Sequence, residues 1–390
     1  MNIQDCKIYL ADLTYDTVTL SNETFPLNVG YIAAYCYKQF GHDMDITLFK
    51  YIKDLENSIL DNPPDILALS NYAWNTNVDY EIFKIFSQIN PNGIIVWGGP
   101  NFPADFPSQI KFLKEHSLVD VYVPVEGEIG FSNIIKKYLE YENKEEAKQK
   151  ICNSSIPECV VRKKDGKLDF SFENERMKKL DEIPSPYTTG ILNKFFDGRL
   201  SPMLQTNRGC PFTCTYCVDG SDLVRQITQF SLERVKQELE YIGKKHDDNI
   251  SSMFISDLNF GMLPRDLEIC REISKIQTKY NFPKQIQATT GKNSKERIVE
   301  AIKLTNGALN LWLSVQSLDM EVLTNVHRQN ISTDQIIELS PTIKKAKLPT
   351  FSEVIVGLPG DSLESNLKTI QGLVRADVDE ILVYTLMLLE

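Results

Sequence analysis

The sequence has no apolar run approaching the roughly 20 residues that a membrane-spanning helix needs, so no transmembrane segment is predicted. Its start, Met1-Asn2-Ile3-Gln4-Asp5-Cys6, lacks the basic and then apolar stretches of a secretion signal, which makes the cytoplasm the expected compartment. Positive charge is in short supply. The 42 Lys and Arg against 53 Asp and Glu leave a net charge of −11, which argues against extended binding along a nucleic-acid backbone and favours a small molecule or a peptide as substrate. No G-x-G-x-x-G follows the first apolar run, so a classical dinucleotide site is not expected. Cysteine is sparse, at eight in 390 residues. Five of the eight, Cys6, Cys36, Cys152, Cys159 and Cys270, share no spacing and read as structural thiols rather than as disulfide partners in a reducing compartment.

The other three stand together in Asn207-Arg208-Gly209-Cys210-Pro211-Phe212-Thr213-Cys214-Thr215-Tyr216-Cys217. A C-x3-C-x2-C spacing lets three thiolates turn inward on one short loop and hold three corners of an iron–sulfur cube. A four-iron cluster is ordinarily held by four thiolates and structural zinc also takes four ligands, so a triad without a fourth leaves one iron open to a substrate or cofactor.

The composition, 42% hydrophobic and 24% charged, suits two or three soluble domains over this length. Apolar runs at Lys7–Leu13, Met44–Phe49, Asp65–Ser70, Ile94–Gly98 and Asp120–Val125 alternate with helical stretches near 27–40, 50–60, 77–89, 106–116 and 128–141. Five such β-α units predict a parallel sheet covered on both faces, a flavodoxin-like (Rossmann-like) domain over 1–141. Ligands of such sheets lie beyond the carboxyl ends of the strands, here Ser70-Asn71, Gly98-Gly99-Pro100-Asn101 and Val125-Glu126-Gly127-Glu128.

Residues 142–201 read as a connector. Its charged start, Glu142 to Lys150, is expected as a solvated helix end, Asp165-Gly166 supports a hairpin, and Leu180 to Tyr187 with its two prolines reads as an extended strap. From 202 to 390 the alternation resumes, with runs at Pro202–Thr206, Met253–Asp257, Gln285–Thr289, Asn310–Val315, Thr350–Gly357 and Glu380–Leu386. Spacing alone allows either a partial barrel or another open α/β sheet. The chain stops at Leu388-Leu389-Glu390, directly after the sixth predicted strand, and a fragment lacking a C-terminal region is one expectation.

The cysteine loop, with Tyr216 as the aromatic before the third thiol, resembles that of radical S-adenosylmethionine (radical SAM) enzymes. Asn207 to Phe212 is similar to the subgroup with an N-terminal cobalamin-binding-like domain. Leu27 to Tyr35, Gly41-His42, Pro64 to Ser70, Trp97-Gly98-Gly99-Pro100 and Glu126-Gly127-Glu128 resemble successive landmarks of that domain. The resemblance implies a partial (β/α)6 TIM-type barrel over 202–390, with the cysteine loop at the carboxyl end of its first strand.

It further implies that Cys210, Cys214 and Cys217 each hold one iron of a 4Fe-4S cluster, with S-adenosylmethionine on the fourth. Tyr216, Asp257, Asn259, Ser314, Gln316, Arg328, Gly357 and Pro359 are the implied contacts of S-adenosylmethionine, Asp257 or Asn259 facing its ammonium group. Ser70, Gly98, Gly99, Glu126 and Gly127 are implied to face cobalamin. The D-x-H-x-x-G motif of many cobalamin proteins is absent, and His42 reads as a surface histidine, so the lower face of the cobalt has no named ligand.

The activity implied is cleavage of S-adenosylmethionine to a 5′-deoxyadenosyl radical, followed by cobalamin-dependent methyl transfer to a poorly activated carbon or phosphorus, with a flavodoxin or ferredoxin as electron donor. Two rivals stay open. One is a radical SAM rearrangement or cyclisation enzyme whose N-terminal domain holds no cobalamin; the other is a non-catalytic iron–sulfur or zinc module.

Overall fold

The computed structural model describes residues 6–16, 23–124, 126–141, 143–173, 176–290, 295–329 and 350–387, with Asp334 and Ile337 standing alone between the last two segments. Val125, Glu142 and Leu388 to Glu390, which figured in the expectations above, lie outside the described residues. The chain divides into two compact units, changing over between Phe195 and Phe196.

The first unit is built on a seven-stranded sheet. Strands β1 (Lys7–Thr14), β2 (Asp45–Tyr51), β3 (Ile66–Ser70), β4 (Ile94–Gly98) and β5 (Val121–Val123) run parallel in the order β2-β1-β3-β4-β5. Every residue of β3 and all but the first of β1 are buried, as strands covered on both faces require. The covering helices are α1 (Leu27–Phe40), α2 (Ile52–Asp61), α3 (Thr76–Ile89), α4 (Phe106–Glu115) and α5 (Gly127–Leu139). The core beneath them packs Phe83, Phe86, Trp97 and Tyr122 against Leu67 and Leu69. One boundary differs from the reading of the sequence. The helix expected from residue 50 starts at Ile52, because Lys50 and Tyr51 continue β2, and Lys50 is wholly buried in an ion pair with Asp12 at 2.9 Å.

The stretch expected as a connector is largely part of this unit. Helix α6 (Lys144–Ile151) is not simply a solvated end: Ala147 and Ile151 are fully buried, and the Lys148 ammonium lies 3.1 Å from Asp120. The expected hairpin forms as β6 (Val160–Arg162) and β7 (Leu168–Phe170), and β6 pairs antiparallel with β5, Tyr122 opposite Val160, so the hairpin extends the sheet. The strap is not extended throughout, since Leu180–Glu182 form a 3-10 turn, and it packs back on α1: a side chain at Gly30 would stand 3.2 Å from Pro186 and 3.1 Å from Leu192.

The second unit holds six parallel strands in two sets of three. Strand β8 (Met203–Leu204) pairs with β11 (Ser252–Phe260), which pairs with β12 (Gln285–Thr290); β13 (Leu311–Gln316) pairs with β14 (Thr350–Val356), which pairs with β15 (Glu380–Thr385). A parallel bridge between Ile286 and Leu309 joins the two sets, so the six follow one another in chain order, as a partial (β/α)6 barrel requires. Helices α7 (Leu232–Lys245), α8 (Asp266–Tyr280), α9 (Lys295–Leu304), α10 (Met320–Asn325) and α11 (Leu363–Arg375) return the chain between strands. A small antiparallel pair, β9 (Asn207–Arg208) and β10 (Thr228–Gln229), stands apart from the barrel strands.

Candidate functional site

The cysteine loop is a closed excursion from the carboxyl end of the first barrel strand. Arg208 pairs with Thr228 and Asn207 with Gln229, so the β9–β10 ladder ties its two feet together. Inside it the Cys210 amide donates to the Val224 carbonyl at 2.8 Å, the Cys217 amide to the Cys214 carbonyl at 3.1 Å, and the Thr215 amide to the Val326 carbonyl at 3.1 Å. Cys210 and Cys214 are buried and Cys217 is partly exposed. Gly209 sits at φ +112°, and a Cβ there would lie 2.4 Å from the Gln226 carbonyl oxygen, closer than any side chain tolerates. Gly209→Ala is therefore expected to cost about 1–3 kcal/mol of backbone strain, read as a lower unfolding midpoint in urea.

Asp257 fixes the root of this loop. Its carboxylate accepts from the Thr206 amide at 2.7 Å, the Asn207 amide at 3.2 Å, the Asn207 side-chain amide at 2.7 Å and the Thr206 hydroxyl. Burial pushes its carboxyl up to about 7, outweighing those donors, which favour the charged form. Asp257, expected to face an ammonium group, has both oxygens engaged by the chain entering the loop and clamps it. Asn259, two residues on and so on the same face of β11, donates from Nδ2 to the Cys210 sulfur at 3.3 Å. Its Oδ1 is buried and has no partner among the described residues.

Across the barrel, Arg328 bonds both Tyr216 and Ser314. The Arg328 guanidinium donates to the Tyr216 hydroxyl at 2.5 Å and to the Ser314 carbonyl, while the Ser314 hydroxyl donates to Glu353 at 2.6 Å. Burial pushes the Tyr216 phenol well above its usual range, so it accepts from Arg328 in its neutral form. Tyr216 also packs against Val322, Val326 and Leu358, which brings it beside the Gly357-Leu358-Pro359 turn. There the Gly357 amide donates to Asp361 at 3.1 Å and the Pro359 carbonyl accepts from Asn325 at 3.2 Å. Gln316 closes β13 in the left-handed region, φ +64°, with its Oε1 buried and without a partner among the described residues.

Thr206, Asn207 and Glu353 were given no site role from the sequence. A charged residue in the middle of the apolar run Thr350–Val356 was the available signal for Glu353. Among the described residues no three His, Cys, Asp or Glu side chains converge tightly enough to hold a single metal ion.

In the first unit the strand-end residues are mostly used internally. The Ser70 hydroxyl donates to Asp12 at 2.8 Å, completing a buried Ser70–Asp12–Lys50 chain that the sequence reading missed. Gly98 and Gly99 are required by neighbouring backbone: a Cβ would stand 2.9 Å from the Val123 carbonyl oxygen and 2.6 Å from the Asn71 carbonyl oxygen. Glu126 accepts from the Met177 amide at 2.7 Å and pairs with Arg176 at 3.3 Å, anchoring that segment rather than facing outward, and Gly127 makes room for Ile32. What is open at this end is Trp74, half-exposed and stacked on Tyr72 with ring centroids 4.4 Å apart. His42 is exposed and stacks on Tyr37, as a surface histidine does.

Comparison with known proteins places both units. The profile of the Radical SAM superfamily matches residues 204–372, and that of the B12 binding domain matches residues 14–135. The chain is 31% identical over 338 residues to the cobalamin-dependent radical SAM methyltransferase TokK of Streptomyces tokunonensis, covering 83% of this chain and 46% of that protein. It is 30% identical over 367 residues to the 2-(S-pantetheinyl)-carbapenam-3-carboxylate methyltransferase of Streptantibioticus cattleyicolor, covering 90% of this chain and 51% of that protein. The chain thus spans about half the length of the curated relatives it matches. In fold it is similar to the radical S-adenosylmethionine methyltransferase TsrM of Kitasatospora setae (TM-score 0.73, 12% identity, 97% of this chain and 75% of that one). It is similar also to the cobalamin-dependent S-adenosylmethionine radical enzyme OxsB (TM-score 0.70, 20% identity, 97% of this chain and 53% of that one).

Proposed function

The chain belongs to the radical SAM superfamily, with a B12-binding domain ahead of the radical SAM domain, and from that premise we propose that it is a cobalamin-dependent radical SAM methyltransferase acting on a small molecule. The observation that carries this reading is the closed, clamped loop presenting three cysteines at the carboxyl end of a partial barrel, where parallel barrels place their chemistry. The residues fit the groups the reaction needs. Three thiols without a fourth suit a cluster with one open iron. In the second unit two buried amide oxygens without partners among the described residues, on Asn259 and Gln316, suit a cofactor rich in donors, because each costs about 1–3 kcal/mol while unsatisfied. In the first unit the half-exposed Trp74 offers the flat apolar surface that a corrin covers.

Bound in such a site, the cluster with S-adenosylmethionine supplies one-electron reductive cleavage to a 5′-deoxyadenosyl radical, and cobalamin supplies a transferable methyl group. The protein's own part is placement. Cys210, Cys214 and Cys217 hold the cluster, and Asp257 fixes the loop that carries them. Arg328 orients Tyr216 and the end of β13 in a buried setting from which bulk water is kept. A flavodoxin or ferredoxin is the electron donor that this chemistry calls for. The acceptor is a poorly activated carbon of a small molecule, the class to which the carbapenam named for one relative belongs.

A specific observation favours a second reading. Ser70 and Glu126 are engaged within the first unit, and Gly98 and Gly99 are needed by its own backbone, so that unit can stand as a scaffold without a corrin. Anaerobic reconstitution with iron, sulfide and hydroxocobalamin, followed by reduced incubation with S-adenosylmethionine, separates the two. Corrin absorbance retained after desalting together with 5′-deoxyadenosine is the expected result. Deoxyadenosine without retained corrin selects the scaffold reading, and an intact cluster with neither product overturns both.

A further inference from the structure

Asn259 makes two contacts' worth of chemistry available with one amide group. Its nitrogen lies 3.3 Å from the Cys210 sulfur, and its oxygen is buried and has no partner among the described residues. Electrostatics fixes this orientation: a thiolate only accepts, so the NH2 end must face the sulfur and the oxygen must face away. The backbone holds the group there. Asn259 shares the face of β11 with Asp257, whose clamp on Thr206 and Asn207 sets where the loop, and with it Cys210, begins. The side chain is 6% exposed, so water does not compete for either end.

We propose that Asn259 is a positioning and tuning residue for the cluster, which bonds the Cys210 sulfur through its amide N–H and thereby links the cluster to whatever cation meets its amide oxygen. The inference rests on the reading of the cysteine loop as a cluster site and deepens it. A hydrogen bond to a ligating sulfur stabilises the form with more negative charge on that sulfur, which is the reduced cluster, and so raises the reduction potential. A donor arriving at Oδ1 polarises the amide further and strengthens the N–H···S bond at its other end. The ammonium group of S-adenosylmethionine is a donor of this kind. Cofactor binding and ease of reduction then become coupled through a single side chain, and the coupling is reciprocal.

Two substitutions separate the two ends of the amide. Asn259→Leu, of similar size, removes both donor and acceptor; Asn259→Asp keeps an acceptor and loses the donor to sulfur. Each variant and the unaltered chain are reconstituted with iron and sulfide. Three quantities are read: iron and sulfide content, the midpoint potential of the cluster by EPR-monitored titration, and the equilibrium affinity for S-adenosylmethionine.

Both variants are expected to keep their cluster and to be harder to reduce, by about tenfold in the reduction equilibrium, which is 59 mV for one electron. Asn259→Leu is also expected to bind S-adenosylmethionine about tenfold more weakly, while Asn259→Asp retains affinity. An unchanged midpoint potential in either loaded variant overturns the sulfur bond, and unchanged affinity in Asn259→Leu overturns the coupling. If Asn259→Leu fails to load, Asn259→Ala takes its place for both readings; if Asn259→Asp fails to load, Asn259→Leu alone decides both. Failure of the unaltered chain to take up a cluster overturns the cluster reading itself, and this inference with it.

Discussion

Changing Cys214 to alanine is expected to abolish reductive cleavage of S-adenosylmethionine, a loss on the order of a thousandfold, or about 4 kcal/mol of activation free energy at ~1.4 kcal/mol per decade. The size of the effect follows from the loop's construction. With three thiols and no fourth, a missing one leaves a second iron without a protein ligand, and the cluster is no longer held. Cys214 is also the thiol most enclosed by its own loop: its carbonyl accepts from the Cys217 amide, and Gly220 packs so closely that a Cβ there would lie 2.2 Å from that carbonyl oxygen. The other five cysteines do not stand in for it, since each is buried where it lies, Cys270 within helix α8. Iron content and the cluster's visible absorbance should fall together, while Cys270→Ala leaves both unchanged. Retention of a full cluster in Cys214→Ala would sink the assignment of this thiol.

The second large effect is expected at Asp257. Asp257→Asn replaces an acceptor oxygen by an NH2 group that faces the donors of Thr206 and Asn207, leaving at least two of them unsatisfied in a buried place, at roughly 2–5 kcal/mol. The loss carries a pH signature. Burial raises the folded carboxyl to about 7, above the ordinary value of about 3.9 in an unfolded chain. The folded chain therefore holds this proton more tightly, so the contribution to stability is full below pH ~3.9 and is lost as pH rises to about 7. Urea unfolding of the unaltered chain and of Asp257→Asn should therefore differ more at pH 4 than at pH 8.5. A gap of the same size at both pH values would show that Asp257 is charged across the whole range. Iron uptake by the variant should also fall, because the loop loses its fixed root.

Most of the architecture was legible in the sequence because it is written in periodicity. The runs Ile66–Leu69 and Ile94–Trp97 are apolar throughout, and a strand covered on both sides buries such a run. The six barrel strands were likewise located by runs between amphipathic helices, and the parallel pairing follows from the helical crossovers. The cysteine triad was legible for a different reason, since its three ligands are local and their spacing is fixed by one loop. What could not be read was how side chains distant in sequence spend their hydrogen bonds. Asp257 was expected to close its strand, which runs on to Phe260, and its partners, Thr206 and Asn207, lie about fifty residues earlier, so that only the fold shows both its oxygens in use. The same holds for Glu126, taken up by Arg176 and Met177, and for Lys50, whose charge hid the fact that it lies inside the sheet opposite Asp12.

The hairpin of β6 and β7 carries a consequence for how copies of the protein meet one another. Without it the parallel sheet would end at β5 and expose a row of unpaired amides and carbonyls, a ready template for another chain's strand. The hairpin covers that row and substitutes a border of only three residues, with Lys163, Lys164 and Lys167 clustered at its turn and Phe170 turned onto Phe106. A border this short, with Lys163 and Lys167 at its turn already paired with Asp169 and Asp165, offers another strand little to extend. Deleting the hairpin should therefore leave a protein that self-associates as its concentration rises, with light scattering increasing even where the first unit's core is intact.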